Sequence, residues 1–451
     1  MHKTNGAERS LDVSLITRVE GEGSLHLLVQ EGKVAEARLS IFEAPRYFEK
    51  LVEGRTPQEV IDIVARICGI CPVAYQMTAV QAFEDCFGIE VAPETRALRR
   101  LMYCGEWIES HALHLYMLQT PDFLGYPSAV AMAQDHRDLV ANGLRVKKMG
   151  NTIIECIGGR AIHPVSLCVG GFTHLPSRKE LDALRRELDA VIPLATDTLR
   201  WTGNLTAPPF TRETLFVSLF HPHEYPMNEG RIVSSGSGSH TIDLAPGAWA
   251  DAFHEIQLEG TNALHARTMS GETYAVGPPA RIALCGDQLH PEAHAGLSET
   301  GLREEIARNP HWGIAARAAE ILHALCEARD IAESYRPPAE KAVPWTPRAG
   351  IAAWTTEAPR GTLYHRYLLD EEGKPRHATI IPPTSQNQGA IEHDLVESAS
   401  GLLHLSDEKL TAELERLVRS YDPCISCATH FLAVTVEDTP SAKNTAPAQE
   451  Q

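Results

Sequence analysis

No run of about 20 apolar residues, the length a helix needs to cross a bilayer, occurs in this chain, so a membrane span is not expected. The opening residues, Met1-His2-Lys3-Thr4-Asn5-Gly6, lack the apolar stretch of a signal peptide. A cytoplasmic protein is therefore expected, and export would need a signal carried by a partner. Basic charge is scarce: 41 Lys and Arg against 59 Asp and Glu leave a net charge of −18. That balance excludes the basic surface that nucleic acid requires. A glycine-rich nucleotide fingerprint is absent, so any nucleotide site lies elsewhere. Internal repeats are absent too. Ten cysteines in 451 residues are too few for a disulfide scaffold, and without an export signal they are expected to be reduced.

What is present fits a folded enzyme subunit. The chain is 43% hydrophobic and 22% charged, as soluble globular proteins are. From about Leu11 to Phe42, apolar and polar residues alternate around the turn Glu31-Gly32-Lys33, which predicts a small antiparallel sheet. Thr56-Pro57-Gln58-Glu59 joins an N-cap, a proline at the first helical position and a Glu at the third. The helix it starts carries Val60, Ile63, Val64 and Ile67 on one face and delivers Cys68 at its end. Pro72 then permits a second helix directly after Cys71. Long helical patterns follow at Pro93–Leu118, Asp135–Ile157, Ser177–Leu199 and Arg303–Tyr335, the third opening on the capping box Ser177-Arg178-Lys179-Glu180. They are too apolar to be solvated singly, which predicts a central bundle. Arg231–Gly247 reads as a Gly/Ser-rich surface excursion, and Arg336–Arg348 as a proline-rich crossing linker. Mixed strand and loop to about Pro383 and a last helix at Ser406–Ser420 complete the expectation. The fold class is α+β, with a helical core over about 56–335, small peripheral sheets and a mixed region over about 349–430. Residues 1–430 would form one domain.

Two Cys-x-x-Cys pairs lie near opposite ends of the chain, Cys68-Gly69-Ile70-Cys71 and Cys424-Ile425-Ser426-Cys427. Thiolates select soft metals such as zinc, iron clusters, nickel or copper. A structural zinc module would place its pairs ~15–20 residues apart. Here most of the protein separates them, so a shared site must join both ends of the fold at its centre. That favours a catalytic metal. The other six cysteines (Cys86, Cys104, Cys156, Cys168, Cys285, Cys326) lack cluster spacing and read as packed small hydrophobes. A redox metal here would have to send its electrons out through another subunit.

Five segments, in order, resemble signatures of the nickel–iron hydrogenase large (catalytic) subunit. They are Thr17-Arg18-Val19-Glu20-Gly21, Arg66-Ile67-Cys68-Gly69-Ile70-Cys71-Pro72, Gly159-Arg160-Ala161-Ile162-His163-Pro164, Glu357-Ala358-Pro359-Arg360-Gly361, and Asp422-Pro423-Cys424-Ile425-Ser426-Cys427-Ala428-Thr429-His430. The resemblance runs from about Leu11 to His430, and Arg66–Tyr75 and Glu357–Gly361 are most similar to the cytoplasmic branch coupled to soluble carriers such as NAD(P). It implies the hydrogenase large-subunit fold and the reversible heterolytic cleavage of H2 at a nickel–iron centre whose iron carries one carbonyl and two cyanide ligands. Cys68 and Cys424 would be terminal on nickel, and Cys71 and Cys427 would bridge to iron. Cys424 would take the proton and Glu20 would relay it.

The resemblance further places Arg360 over the open metal position, in a canopy with Asp122, Pro359 and Asp422. Thr384 and Ser385 align with donors to an iron-bound cyanide. Glu49, His430 and a backbone carbonyl near Ile380 match the ligands of a second metal, usually Mg2+, although imidazole is unusual for a hard cation. His114 and His163 fall on motif positions that core histidines also fill. Electrons would pass to an iron–sulfur small subunit and onward to a flavin-containing subunit reducing NAD(P), so iron–sulfur clusters and flavin belong to partners. Nickel-insertion proteins and a maturation protease are implied as well. The protease would remove Phe431–Gln451 after His430. One position departs from the family: its first motif carries His where this chain has Tyr75, and a phenol cannot take an imidazole's proton near neutral pH. The alternatives are a hydrogen sensor subunit, a non-catalytic relative such as the quinone-site subunit of respiratory complex I, which lacks the four cysteines, and a structural zinc protein.

Overall fold

The computed structural model describes residues 9–41, 47–235 and 241–428. Strands β1 (Arg9–Val13), β2 (Gly23–Gln30) and β3 (Lys33–Ile41) form the expected antiparallel sheet. The β2–β3 hairpin closes on Glu31-Gly32, both at positive φ (52° and 75°), as a two-residue turn matching the strand twist requires. Leu25, Leu27 and Val29 alternate inward from β2.

Helix α1 (Pro57–Val64) begins on the Thr56/Glu59 capping box, and α2 (Pro72–Phe87) follows with Cys71 as its N-cap and Pro72 at its first position. Helix α3 (Pro93–Ala112) continues as a π-helical stretch over Leu113–Gln119. Next come α4 (Arg137–Gly158) and α5 (Arg178–Thr202), the latter opening on the Ser177/Glu180 capping box. Then α6 (Pro278–Cys285) leads to α7 (Gly313–Ser334). Helix α3 packs against α4 and α7, and α7 against α5. This is the central bundle, and the four motif cysteines belong to its hydrophobic core.

Three expectations need correction. The helix predicted over Arg303–Tyr335 is broken: residues Arg303–Arg308 form a separate turn of helix, and Pro310 stands between it and α7. Proline lacks the N–H and clashes with the preceding turn, which overrides the apolar periodicity. Residues 231–247 are only partly an excursion. Arg231–Ser235 is a strand paired with Leu215–Phe220 in a four-stranded sheet, so the helical core is interrupted; residues 236–240 lie outside the described set. A 20-residue helix, Pro383–Leu402, was also not anticipated. Its first turns bury polar side chains: Gln386 Nε2 donates to Thr362 O at 2.6 Å and Gln388 Nε2 to Leu39 O at 2.9 Å, while Asn387 Oδ1 accepts from Val276 N at 2.8 Å. The first two turns are fixed by buried hydrogen bonds, and the apolar stripe begins only at Ile391, continuing through Leu395 and Ala399.

The C-terminal region places strands Gly350–Ala358, Gly361–Leu369 and Pro375–Ile381 in an antiparallel meander. A final helix, Asp407–Ser420, lies where predicted. Among the described residues, no helix is long and apolar enough to cross a membrane.

Helices α3 and α4 cross at a pair of glycines. A Cβ on Gly150 would stand 2.5 Å from the Gly105 carbonyl oxygen and 2.6 Å from Glu109 N. Both are backbone atoms of α3 and cannot rotate away, so the two helices would have to part. Gly150→Ala is expected to lower stability by about 1–3 kcal/mol, read as a lower unfolding midpoint; an unchanged midpoint would contradict this account of the crossing.

Candidate metal centre

The four motif cysteines converge although they lie at opposite ends of the chain. Their sulfurs all lie within 4.8 Å of one another, with Cys68–Cys424 at 3.6 Å, Cys71–Cys427 at 3.9 Å and Cys424–Cys427 at 2.7 Å. All four are free and buried. Local structure aims each pair. The α1–α2 junction presents the first: Ile70 N–H donates to Cys68 Sγ at 3.3 Å, and Cys71 stands at the N-terminus of α2. His163 Nδ1 meets Ala65 O at 2.7 Å and holds the segment leading into Cys68. Buried Glu106 accepts from Val73 N and Ala74 N at 2.6 and 3.0 Å, capping α2 from beneath.

The second pair follows a reversal at Asp422, whose φ of 54° lies in the left-handed region just before Pro423. The chain then runs beside residue 20. Ile425 N–H donates to Glu20 O at 2.9 Å and Ser426 N–H to Glu20 Oε2 at 3.0 Å, while Cys424 N–H is received by Thr384 Oγ1 at 2.9 Å. Glu20 Oε2 thereby sits 3.2 Å from Cys424 Sγ.

Arg360 and Pro359 form the two-residue tip between paired Ala358 and Gly361. Gly361, at φ 137°, leaves no room for a side chain, since a Cβ would stand 2.4 Å from Val276 Cγ2. Arg360 donates to Asp422 O (2.9 Å), Asp422 Oδ1 (3.1 Å) and Ser110 Oγ (3.3 Å). Burial lowers its pKa, but Asp422 and the nearby thiolates more than offset this and favour the charged guanidinium. Burial raises the Asp422 carboxyl, against the pull of Arg360 and Arg317.

The expected partners of Arg360 need one adjustment. Asp122 pairs with Arg419 through both oxygens at 2.9 Å and with Arg18, not with Arg360. It stands one layer behind, where His114 Nε2 meets Arg419 O at 2.7 Å. Ser385 is fully buried and its Oγ has no protein partner. Glu49 Oε1 accepts from Ile380 N at 2.7 Å, and burial pushes its carboxyl up to about 7. Partly buried Glu255, which sequence reasoning missed, is itself raised by burial and by Glu49. His430 lies outside the described residues.

Also missed was the anchor beneath the Arg360 tip. Arg281 donates to Ala358 O (3.1 Å) and Pro359 O (2.9 Å), and to the carboxylates of Glu320 (2.7 Å twice) and Glu357 (2.8 Å). It lies 4.2 Å over the Trp107 ring, and all three charged residues are fully buried. Burial raises Glu320, but Arg281 more than offsets it and holds the carboxyl at about 2. Glu357 opens the Glu357–Gly361 signature, whereas nothing in the spacing marks Arg281 or Glu320, whose only signal is a charge in a helical pattern.

The donor set fits a soft metal rather than a bare thiol cluster. Hydrogen bonds from the other three cysteines hold the Cys68 thiol well below its usual range, whereas Cys424 is pushed well above it by Cys427, Cys68 and Cys71. Four thiols in one buried site cannot all ionise unaided, and cations would relieve that conflict.

An α+β fold closed over a buried soft-metal centre, with a carboxylate against one thiol, defines a thiolate-ligated metalloenzyme. The profile of the nickel-dependent hydrogenases matches residues 46–142 and 269–430. Sulfhydrogenase 2 subunit alpha of Pyrococcus furiosus is 34% identical over 431 residues, covering 94% of this chain and 99% of that protein. NAD-reducing hydrogenase HoxS subunit beta of Cupriavidus necator is 26% identical, covering 94% and 95%. The solved structure of an NAD+-reducing NiFe hydrogenase in its H2-reduced state superposes with a TM-score of 0.86 at 25% identity, over 94% of this chain and 100% of that one. This chain belongs to the nickel-dependent hydrogenase family.

Removing the Arg281 charge would leave Glu320 buried without its cation, a change that costs about 3–5 kcal/mol. Arg281→Met is expected to lower unfolding stability by that order, and a denaturant midpoint equal to wild type would contradict the anchor.

Proposed function

We propose that this chain is the H2-activating subunit of a soluble nickel–iron hydrogenase, catalysing H2 ⇌ 2H+ + 2e−. The observation that carries this reading is the Glu20 carboxylate 3.2 Å from Cys424 Sγ, at the edge of the four-cysteine cluster. Cys68 and Cys424 would hold nickel, and Cys71 and Cys427 would hold nickel and iron. When bound, that centre supplies the redox chemistry that splits H2. The protein's own task is then to move a proton and exclude water. Cys424 Sγ takes the proton and passes it to Glu20 Oε2, which Ser426 N–H keeps in place while Ile425 N–H holds the Glu20 carbonyl. Arg360 and Asp422 form a charged lid over the cluster, with Asp122 steadying it from behind through Arg419. Thr384 fixes the Cys424 backbone, while Ser385 offers its hydroxyl to an iron ligand. Glu49, the Ile380 carbonyl and His430 would hold a structural Mg2+. Two partly buried carboxyls, Glu49 raised by burial and Glu255 raised by burial and by Glu49, are the kind of pair that a divalent cation stabilises.

Electrons need a partner, because among the described residues the other six cysteines join no all-cysteine group. The exit favoured by exposure is the face where Arg66 and Gly69 lie on either side of Cys68 and Ile162 and Val165 are half-exposed, tied together by His163. An iron–sulfur small subunit would cover it. Relatives named as NAD-reducing support NAD(P) as the final acceptor. A flavin-containing subunit would hand the electrons on, and a cytoplasmic location would suit such an acceptor. The sulfhydrogenase relative keeps sulfur reduction open as a second activity. Residues 431–451 would be removed by the maturation protease.

Glu20→Gln keeps the acceptor for Ser426 N–H but not the exchangeable proton site. In the assembled complex it is expected to leave nickel and iron contents unchanged while H2-dependent dye reduction falls by about 100-fold or more. Wild-type turnover in a metal-loaded variant would remove Glu20 from the proton route.

A further inference from the structure

Tyr75 occupies the position where the chain departs from the family's histidine, and its surroundings are unusual for a core tyrosine. It stands one turn after Cys71, its N–H directed at Cys71 O (3.4 Å). Helical side chains lean toward the N-terminus, which carries this ring over the Cys71 end of α2. The residue is 1% exposed, yet its hydroxyl has no protein partner. A buried hydroxyl left unpaired costs about 1–3 kcal/mol. Burial and then the charges of all four cysteines raise its ionisation, with Cys427 and Cys71 acting more strongly than Cys424 and Cys68.

Beside it lies a second unpaired group. The His365 ring centroid is 5.6 Å from that of Tyr75, with the planes tilted by 42°. Its Nδ1 meets Tyr367 Oη at 2.8 Å, while its Nε2 has no partner. Burial keeps the ring neutral by lowering its pKa to about 3. A neutral imidazole that accepts the Tyr367 O–H on Nδ1 carries its own hydrogen on Nε2. With that tautomer, an N–H donor and a phenol, which both donates and accepts, lie side by side.

We propose that Tyr75 is a positioning residue for the metal centre: its O–H, which reaches no sulfur in the metal-free geometry, donates a hydrogen bond to the Cys71–Cys427 side of the cluster once metal is bound, and its oxygen is backed by His365 through one water. The chain of donors runs one way, from Tyr367 through His365 and Tyr75 to sulfur. Such a bond draws electron density off the thiolate and so off the metals it bridges, the kind of outer contact that tunes a ligand. The proposal rests on the nickel–iron reading above.

The test is infrared spectroscopy of the assembled, metal-loaded complex as wild type, Tyr75→Phe, Tyr75→His and His365→Gln. Wild type should show one carbonyl and two cyanide bands. Tyr75→Phe should keep all three, with the carbonyl band moved to lower wavenumber because the sulfur donates more strongly. Tyr75→His, which restores a donor, should return toward wild type, and His365→Gln should give a smaller shift in the same direction as Tyr75→Phe. Superimposable bands for wild type and Tyr75→Phe, with an equal or higher thermal midpoint, would make Tyr75 a packing residue and overturn the proposal. Absence of the bands from metal-loaded wild type would instead overturn the nickel–iron reading itself, and the proposal with it.

Discussion

Cys68 and Cys424 are 356 positions apart and hold their sulfurs at 3.6 Å in the core. Everything else around the site answers that convergence. Thiols packed this closely oppose one another's ionisation, and burial removes the water that would screen them. The arrangement is stable as a set of thiolates only with positive charge among them, which Arg360 supplies in part and bound metal would complete. The site is therefore held from outside. Capping by Glu106 and the His163 contact fix the first pair, while Glu20, Thr384 and the Asp422 reversal fix the second.

The buried ionic anchor under the Arg360 tip follows the same logic. A guanidinium facing the cluster is useful only if its backbone does not yield, and Arg281 clamps the two carbonyls that precede it. The charge of Arg281 then has to be answered, which Glu320 and Glu357 do in a fully desolvated setting. A buried network of this kind is weak evidence of net stability. Its value here lies in geometry, since removing one member leaves another charge unpaired.

Much of this was legible in the residues. Both capping boxes, the Pro72 helix start, the Glu31-Gly32 hairpin and the helix before the second cysteine pair are local signals, and local chemistry decided each. The four cysteines, Glu20, Arg360 and Asp422 were readable because they fall in motifs, and the fold brings them together. Other features depend on distant partners. The Pro383–Leu402 helix buries Gln386, Asn387 and Gln388 against Thr362, Val276 and Leu39, which periodicity cannot show. Arg281, Glu320 and Glu106 are single charges in helical patterns whose counter-groups lie far along the chain. Asp122 was assigned to the Arg360 canopy by motif, yet Arg419 and Arg18 claim its carboxylate. Pro310 was visible, but its power to end a helix was underweighted against a strong apolar pattern.

The central claim is that these four cysteines together hold a nickel-containing centre. Nickel-edge X-ray absorption of the purified, assembled complex tests it most directly. The account predicts nickel in a shell dominated by sulfur, with that signal lost when Cys68 or Cys424 is replaced by Ser. Zinc in place of nickel, or nickel bound mainly by nitrogen and oxygen, would contradict it.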